Sequence, residues 1–165
     1  MKVGLAADHG GFEMKQQLGK LLAAEGHEVI DFGNKVYDAN DDYPDFTIRL
    51  AHAVSRGDVE RGVLLCGSGV GASVAANKIS GVRAAVCHDD FSARQGVEDD
   101  NLNILCFGGR TTGIAVAGDC TKAFLNARFS GAERHRRRLA KVAQLEATWL
   151  PMASPRVKST YRINK

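Results

Sequence analysis

The residues of this chain that are best suited to chemistry surround one glycine-rich loop. A short apolar run ends at Cys66 and continues through Gly67-Ser68-Gly69-Val70-Gly71 into a segment of small residues. Glycines let backbone N–H groups approach a ligand closely, and the start of a helix carries partial positive charge. The sequence therefore predicts a site for an anionic ligand at this loop.

Cys66 stands at the edge of the predicted site. A thiol at the carboxyl end of a strand and beside a helix start lies where a thiolate is favoured, so it could act as a base or a nucleophile. A buried structural cysteine before a tight turn would give the same pattern. The loop alone does not choose between these interpretations.

The same loop also fits a dinucleotide-binding pattern. Gly67 to Ala72 matches G-x-G-x-x-A, and Asp89 follows about 20 residues later, where an acidic residue could bind a ribose hydroxyl. This pattern normally follows the first strand of a fold, whereas here it follows the third. A nucleotide-binding oxidoreductase is therefore the alternative function, and it leaves Cys66 unexplained.

Two further groups of residues could bind a ligand. Asp8-His9 follows the first apolar run, where it could form a helix cap or part of a site. Arg134 and Arg138 belong to a basic run and are four residues apart, so two guanidiniums on one helix face could bind one phosphate. The run could also be a solvated helix face or a nucleic-acid patch, but no aromatic residues interleave it, which disfavours nucleic acid.

Alternating strand and helix patterns predict the elements that position these residues. Strands are predicted at 2–7, at 27–32, in the run that ends at Cys66, at 81–87 and at 103–107. Helices are predicted at 12–24, at 46–55, after the glycine loop, at 92–98, at 112–127 and at 133–148. Such alternation indicates an α/β fold: a single-domain, Rossmann-like, three-layer αβα sandwich on a five-stranded parallel sheet.

This domain is predicted to cover residues 1–148, followed by a C-terminal extension at 149–165. Ligands of open parallel sheets bind outside the carboxyl ends of the strands. We therefore expect that edge to bring together Asp8, His9, Cys66, Ser68, His88 and the loop near Asp99.

Composition favours a cytoplasmic protein. The 165 residues include four cysteines without C-x-x-C spacing, which suits free reduced thiols better than disulfides or a zinc site. No apolar run approaches the roughly 20 residues that cross a membrane. The net charge of +3 is mild, so a local anionic ligand is expected rather than a nucleic acid or a membrane surface.

Taken together, the motifs resemble the ribose-5-phosphate isomerase B family, which also includes the galactose-6-phosphate isomerase subunits. The similarity runs in uninterrupted order from about residue 2 to about residue 146. It is carried by Asp8-His9-Gly10-Gly11-Phe12, Asp42-Tyr43-Pro44, Cys66-Gly67-Ser68-Gly69-Val70-Gly71, Ala75-Ala76-Asn77-Lys78, Gly81-Val82-Arg83-Ala84, Gly108-Gly109-Arg110 and Arg134-His135-Arg136-Arg137-Arg138.

The resemblance implies an aldose–ketose isomerase that acts on a sugar phosphate through a cis-enediolate, with no cofactor and no metal. It gives Cys66 the role of the base. Family members that use a glutamate carry it where this chain has Ala72. Ser68 would hold the thiol or a substrate hydroxyl. A homodimer or a tetramer with active sites shared between subunits is also implied.

The resemblance further implies a set of substrate-binding residues. Backbone groups of the glycine loop would contact the enediolate, Asp8 and His9 would contact the sugar, and a basic group would bind the phosphate. The complete set is Asp8, His9, Tyr43, Gly67, Gly69, Gly71, Asp100, Arg110, Arg134, His135 and Arg138.

One position departs from the family pattern. Family members usually have a histidine, credited with opening the furanose ring, followed by asparagine just before the fifth strand; this chain has Asp99-Asp100-Asn101 there. A carboxylate can still move a proton, so Asp99 is kept as a catalytic candidate. The substrate could therefore be ribose 5-phosphate, or a tetrulose or hexose phosphate.

Overall fold

A computed structural model describes the backbone of residues 1–152 and the side chains of residues 1–148. The strands are β1 (Lys2–Ala7), β2 (Glu28–Asp31), β3 (Arg61–Cys66), β4 (Ala84–Val86) and β5 (Ile104–Gly108). The helices are α1 (Phe12–Ala24), α2 (Tyr43–Arg56), α3 (Val70–Ala76), α4 (Asp90–Asp100), α5 (Ile114–Asn126) and α6 (Glu133–Met152).

All pairings in the sheet are parallel, and the strand order is β2-β1-β3-β5-β4. Side chains alternate between the two faces of each strand. In β3, Val63 and Leu65 pack with α1, α4 and α5, whereas Leu64 and Cys66 pack with α2 and α3. The predicted three-layer αβα sandwich on a five-stranded parallel sheet is confirmed.

Several predicted boundaries are wrong by a few residues. Helix α2 begins at Tyr43 rather than at 46, because Pro44 fits the first turn of a helix, where its missing N–H is not needed. Helix α4 extends two residues beyond the predicted 92–98 at each end. It begins after Asp89, whose carboxylate accepts a hydrogen bond from Ser92 N, and ends at Asn101 in the left-handed conformation.

Strand β4 is only three residues long, shorter than the predicted 81–87, and lies at the edge of the sheet. Helix α6 continues past the predicted end at 148 to Met152. The rest of the predicted extension lies outside the described residues. The chain divides into two compact units, Met1–Gly131 and the part from Ala132 onward. None of the helices in the described part is long and apolar enough to cross a membrane.

Candidate active site

The carboxyl ends of β1 and β3 form the centre of the site. These strands are neighbours in the sheet. The strand that follows β1 lies on one side of the pair, and the strand that follows β3 lies on the other side. Parallel α/β sheets bind ligands where the strand order reverses in this way. The loops that follow the two strands touch. A Cβ on Gly10 would lie 2.7 Å from Gly67 N, so only glycine permits this approach. The sequence correctly placed Asp8, His9, Cys66 and Ser68 at this edge.

Cys66 is the last residue of β3 and is 5% exposed. Its Sγ accepts a hydrogen bond from Gly69 N at 3.1 Å. Gly69 has a φ of 80°, in the left-handed region, and a Cβ there would lie 2.9 Å from the carbonyl carbon of Phe107. The glycine therefore lets the loop turn its N–H toward the sulfur. Helix α3 has only seven residues, so its contribution to an anion site is confined to its first turn.

The four cysteines are free, and three of them differ from Cys66 in their surroundings. Burial raises the pKa of Cys87 to about 11, and burial also raises the pKa of Cys106 and of Cys120. These three therefore remain neutral thiols near pH 7. Cys66 is the cysteine that lies on the glycine loop.

Arg110 follows β5, and the backbone there is hydrogen-bonded to the glycine loop. Gly109 N donates to Cys66 O at 2.8 Å, and Arg110 N donates to Gly67 O at 3.1 Å. The guanidinium also lies close to the loop, as shown by the 3.9 Å that would separate a Cβ on Gly67 from Arg110 Nε. A cationic side chain is thus held beside the predicted site.

His9 is oriented by Asp41. The Asp41 Oδ1 atom accepts from His9 Nδ1 at 2.8 Å and from His9 N at 2.9 Å. The hydrogen bond to Asp41, together with the charges of Asp8 and Asp41, raises the pKa of His9 above its ordinary value. His9, whose protonated form the raised pKa favours, and the Arg110 guanidinium line one cavity of about 490 Å³.

Asp8 is 7% exposed, and its Oδ1 accepts from Gly10 N at 2.8 Å. Burial raises its pKa, and this hydrogen bond opposes the rise. Asp8, His9 and Asp41 bring one possible ligand atom each to within 4.8 Å of one another, a spacing that a metal ion could use. Because Asp41 Oδ1 already accepts two N–H groups from His9, we interpret His9 and Asp41 as a hydrogen-bonded pair, and the absence of a metal stays a prediction.

Two other predicted residues, Tyr43 and Ser68, lie against the loop and within it. The Tyr43 ring lies against Gly71, since a Cβ at Gly71 would be 2.8 Å from the ring Cζ. The Ser68 side chain is exposed, and its Oγ accepts from Val70 N at 3.4 Å. Ser68 is therefore part of the glycine loop that follows Cys66, and Tyr43 packs against the end of that loop.

The expectation that one chain brings Asp99 to this edge is wrong. Asp99 and Asp100 form the last turn of α4, which leads into the amino end of β5, whereas Cys66 pairs with Gly108 at its carboxyl end. The four steps from Ile104 to Gly108 span roughly 13 Å, because the chain rises about 3.3 Å per strand residue. Their participation in a site stays a prediction.

Two other expectations near β4 also change. His88 is exposed at the carboxyl edge, but β4 lies two strands away from β3, so His88 is not next to Cys66. Both carboxylate oxygens of Asp89 are bonded to Ser92, Oδ1 to its N at 2.7 Å and Oδ2 to its Oγ at 2.8 Å. Asp89 caps a helix, which removes the acidic residue that the dinucleotide alternative required.

The basic run lies at the start of α6, in the second compact unit. Arg134 and Arg138 are exposed and are one helical turn apart, as predicted. His135 is 2% exposed, and its Nε2 accepts from Arg134 Nε at 2.7 Å. Phosphate binding by these three residues stays a prediction.

Sequence analysis missed Asp41. Its partner His9 is 32 residues away along the chain, and no periodic pattern links the two. The available signal was positional: Asp41 belongs to the polar loop after β2, and this loop starts at the same edge of the sheet as Asp8 and His9.

Comparison with known proteins decides the family. The model of the ribose/galactose isomerase family matches residues 3–142. The chain belongs to this family. It is thus an aldose–ketose isomerase of the sugar-phosphate class. This membership excludes the alternative function of a nucleotide-binding oxidoreductase.

Individual relatives agree with this membership. The chain is 38% identical over 145 residues to ribose-5-phosphate isomerase B of Escherichia coli, covering 88% of this chain and 96% of that one. It is 35% identical over 131 residues to the D-erythrulose-4-phosphate isomerase of Pectobacterium atrosepticum, covering 79% and 86%. The solved structure of Clostridium thermocellum ribose-5-phosphate isomerase B has a TM-score of 0.87 at 42% identity, covering 90% and 99%.

The contact between His9 and Asp41 predicts a pH-dependent contribution to stability. Because folding raises the pKa of His9, the protonated ring stabilises the fold fully below its ordinary pKa of 6.5, and this contribution is lost as pH rises through the higher folded value. Asp41→Asn removes the carboxylate charge that raises the pKa of His9. We expect denaturant unfolding to show the largest loss of stability in Asp41→Asn near pH 6 and a smaller loss near pH 9. A loss that is independent of pH would contradict the contact.

Proposed function

We propose that the protein interconverts ribose 5-phosphate and ribulose 5-phosphate, with the Cys66 thiolate as the base. The observation that carries this proposal is the position of the sulfur, at the carboxyl end of β3 and under the N–H of Gly69. Isomerisation removes a proton from the carbon next to a carbonyl, so it needs a base and donors for the enediolate oxygens. The loop supplies both within a few residues.

The proton would move in two steps. The thiolate takes the proton from C2 of the open-chain aldose, and the electron pair forms the cis-enediolate as the carbonyl oxygen at C1 gains negative charge. The same thiol then returns the proton to C1, while C2 becomes the carbonyl of the ketose and its hydroxyl proton moves to the oxygen at C1. Backbone N–H groups of Gly67, Gly69 and Gly71 would stabilise the charge on the oxygens, and Ser68 would bind a hydroxyl.

The phosphate would lie at the cationic end of the same edge. Arg110 and His9 line one cavity there, and the hydrogen bond that His9 donates to Asp41 favours the cationic form of the imidazole. Two donors that face the same cavity would hold the sugar phosphate in the reacting geometry. Asp8 and Tyr43 would contact the sugar between these ends.

We further propose a homodimer whose sites take residues from both subunits. Asp99 and Asp100 lie at the amino edge of their own sheet, so they could reach a Cys66 thiol only from a second copy of the chain. Arg134, His135 and Arg138 would come from the second copy as well and complete the phosphate site. A cytoplasmic location completes the proposal.

A tetrulose phosphate is the second candidate substrate. The relative from Pectobacterium atrosepticum is named as a D-erythrulose-4-phosphate isomerase, and this chain has Asp99 where the family pattern has a ring-opening histidine. A four-carbon ketose phosphate cannot close a furanose ring through its phosphorylated hydroxyl. Such a substrate therefore needs no ring-opening residue.

Isotope exchange tests the reaction. Incubation in deuterated water with ribose 5-phosphate, a hexose phosphate or erythrulose 4-phosphate should introduce deuterium at C1 or C2 of the substrate, as read by NMR. Binding of these compounds with neither deuterium exchange nor interconversion of aldose and ketose would contradict the proposal.

Substitution of Asp99 tests the choice of substrate. If Asp99 limits ring opening, Asp99→His should raise kcat/KM for ribose 5-phosphate about ten-fold or more, within the range of one acid–base group, and leave erythrulose 4-phosphate unchanged. Asp99→Asn is the matched control, because it removes the charge without adding an imidazole. A wild-type protein that already prefers ribose 5-phosphate widely, and that gains nothing from histidine, would show that the substitution is neutral.

A further inference from the structure

The strongest unused feature of the described chain is a lysine buried beneath the site. Lys15, in the first turns of α1, is 2% exposed, and its Nζ lies 5.2 Å from the centre of the Phe12 ring. A buried ammonium is strongly destabilising unless its hydrogen bonds are made. This cost makes the partners of Lys15 informative.

All three N–H donors of the ammonium have acceptors. Lys15 Nζ donates to Asp31 Oδ1 at 3.0 Å, to Asp31 Oδ2 at 2.8 Å and to Asn34 O at 2.5 Å. Asp31 is the last residue of β2, and Asn34 belongs to the loop that follows it. The lysine therefore fixes the start of this loop on the sheet.

Hydrogen bonds connect this loop to His9 in the site. The backbone oxygen of Asn34 binds Lys15, and the Asn34 side-chain Nδ2 donates to Asp41 Oδ2 at 3.0 Å. The other oxygen of Asp41 accepts from His9 Nδ1 at 2.8 Å. An unbroken series of hydrogen bonds thus leads from the buried ammonium to the imidazole.

We propose that Lys15 is a positioning residue for His9. Its ammonium fixes the loop after β2, and that loop presents Asp41 to the imidazole at the phosphate end of the site. The proposal rests on the role of His9 in the proposed function, but the position of His9 can be measured without turnover. Lys15 itself touches no substrate.

The electrostatic surroundings of His9 make the test decisive. The charged groups that face it are Asp8 after β1, Asp41 before α2, and Glu13 and Arg110, which line the same cavity. If Lys15 acted on His9 only through its positive charge, its removal would raise the pKa of His9. If it acts by holding Asp41, its removal lowers that pKa, because the hydrogen bond to Asp41 is the largest cause of the present rise.

The experiment is an NMR pH titration of His9 in the intact chain. The chain has five histidines, so the His9 signal is assigned by its loss in His9→Gln. We expect Lys15→Met to lower the pKa of His9. Lys35→Met is the matched control: Lys35 also bonds Asp31, at 3.1 Å, but its side chain is 69% exposed, and it should leave His9 unchanged.

Asn34→Ala provides a second variant. It removes the amide that binds Asp41 and keeps the backbone oxygen that binds Lys15, so it should also lower the pKa of His9 even if Lys15→Met fails to fold. An unchanged or raised pKa of His9 in the folded variants would overturn the proposal.

Kinetics separates this inference from the proposed function. If both hold, KM for ribose 5-phosphate should rise about five- to ten-fold, the size expected for a weakened charged hydrogen bond, with kcat nearly unchanged. A lowered pKa of His9 with an unchanged KM would support the positioning role of Lys15 and reject phosphate binding by His9.

Discussion

Cys66→Ala should abolish exchange of the substrate proton with solvent and lower kcat by roughly 10²–10⁴-fold, the usual contribution of a positioned base. Binding of the sugar phosphate should change little, because Arg110 and His9 are intact and the thiolate acts in the transition state. Deuterium incorporation and kcat measure the first effect, and calorimetric titration with ribose 5-phosphate measures the second.

Cys66→Ser should be almost as inactive, since a hydroxyl is a poor base near pH 7. Cys87→Ala is the matched control. Cys87 is another buried cysteine at the carboxyl edge, but it follows the edge strand β4 and lies away from the glycine loop. If Cys66→Ser kept most of the activity, the thiol would have no place in the mechanism.

Arg134→Ala and Arg138→Ala should each raise KM about 10- to 100-fold, because a charged, forked contact to phosphate is lost in the ground state and in the transition state alike. Arg136→Ala is the control, since a residue two positions along a helix faces a different side. Steady-state kinetics with ribose 5-phosphate provides the measurement. Equal effects at all three positions would indicate a general charge effect rather than a site.

Mixed dimers extend this prediction to the sharing of sites. A heterodimer of Cys66→Ala and Arg134→Ala subunits would contain one site with both residues intact. At substrate concentrations far below the wild-type KM, where Arg134→Ala sites contribute little, an equal mixture should recover about a quarter of the wild-type activity, since about half of the dimers are mixed and each has one working site of two. No recovery after proven subunit exchange would mean that each site is built from one chain.

The sequence predicted those features of the structure that depend on residues close together in the chain. Apolar runs alternating with helical spacing predicted the five strands and six helices, and the glycine loop predicted the position of Cys66 at the end of β3. Local chemistry also explains the shifted ends. Pro44 suits the first turn of α2, and the carboxylate of Asp89 starts α4 earlier than the helical spacing alone indicated.

Information about contacts between distant segments was harder to extract. Asp99 precedes β5, and a residue before a parallel strand must lie at the amino edge, but the rule that ligands bind at the carboxyl ends of strands had been applied to this loop as well. The bond between His9 and Asp41 joins segments 32 residues apart, and no pattern in α1 predicts that Lys15 is buried. Such contacts depend on how strands and loops are arranged around the sheet rather than on any periodic pattern.

The different surroundings of the four cysteines make it possible to count active sites by chemical labelling. Burial keeps Cys87, Cys106 and Cys120 as neutral thiols near pH 7, and thiols react slowly with alkylating reagents compared with thiolates. If Cys66 is the catalytic base, as proposed, iodoacetamide should modify it before the other three cysteines. Saturating sugar phosphate should protect it, so the label bound per chain would report the fraction of molecules with a working site.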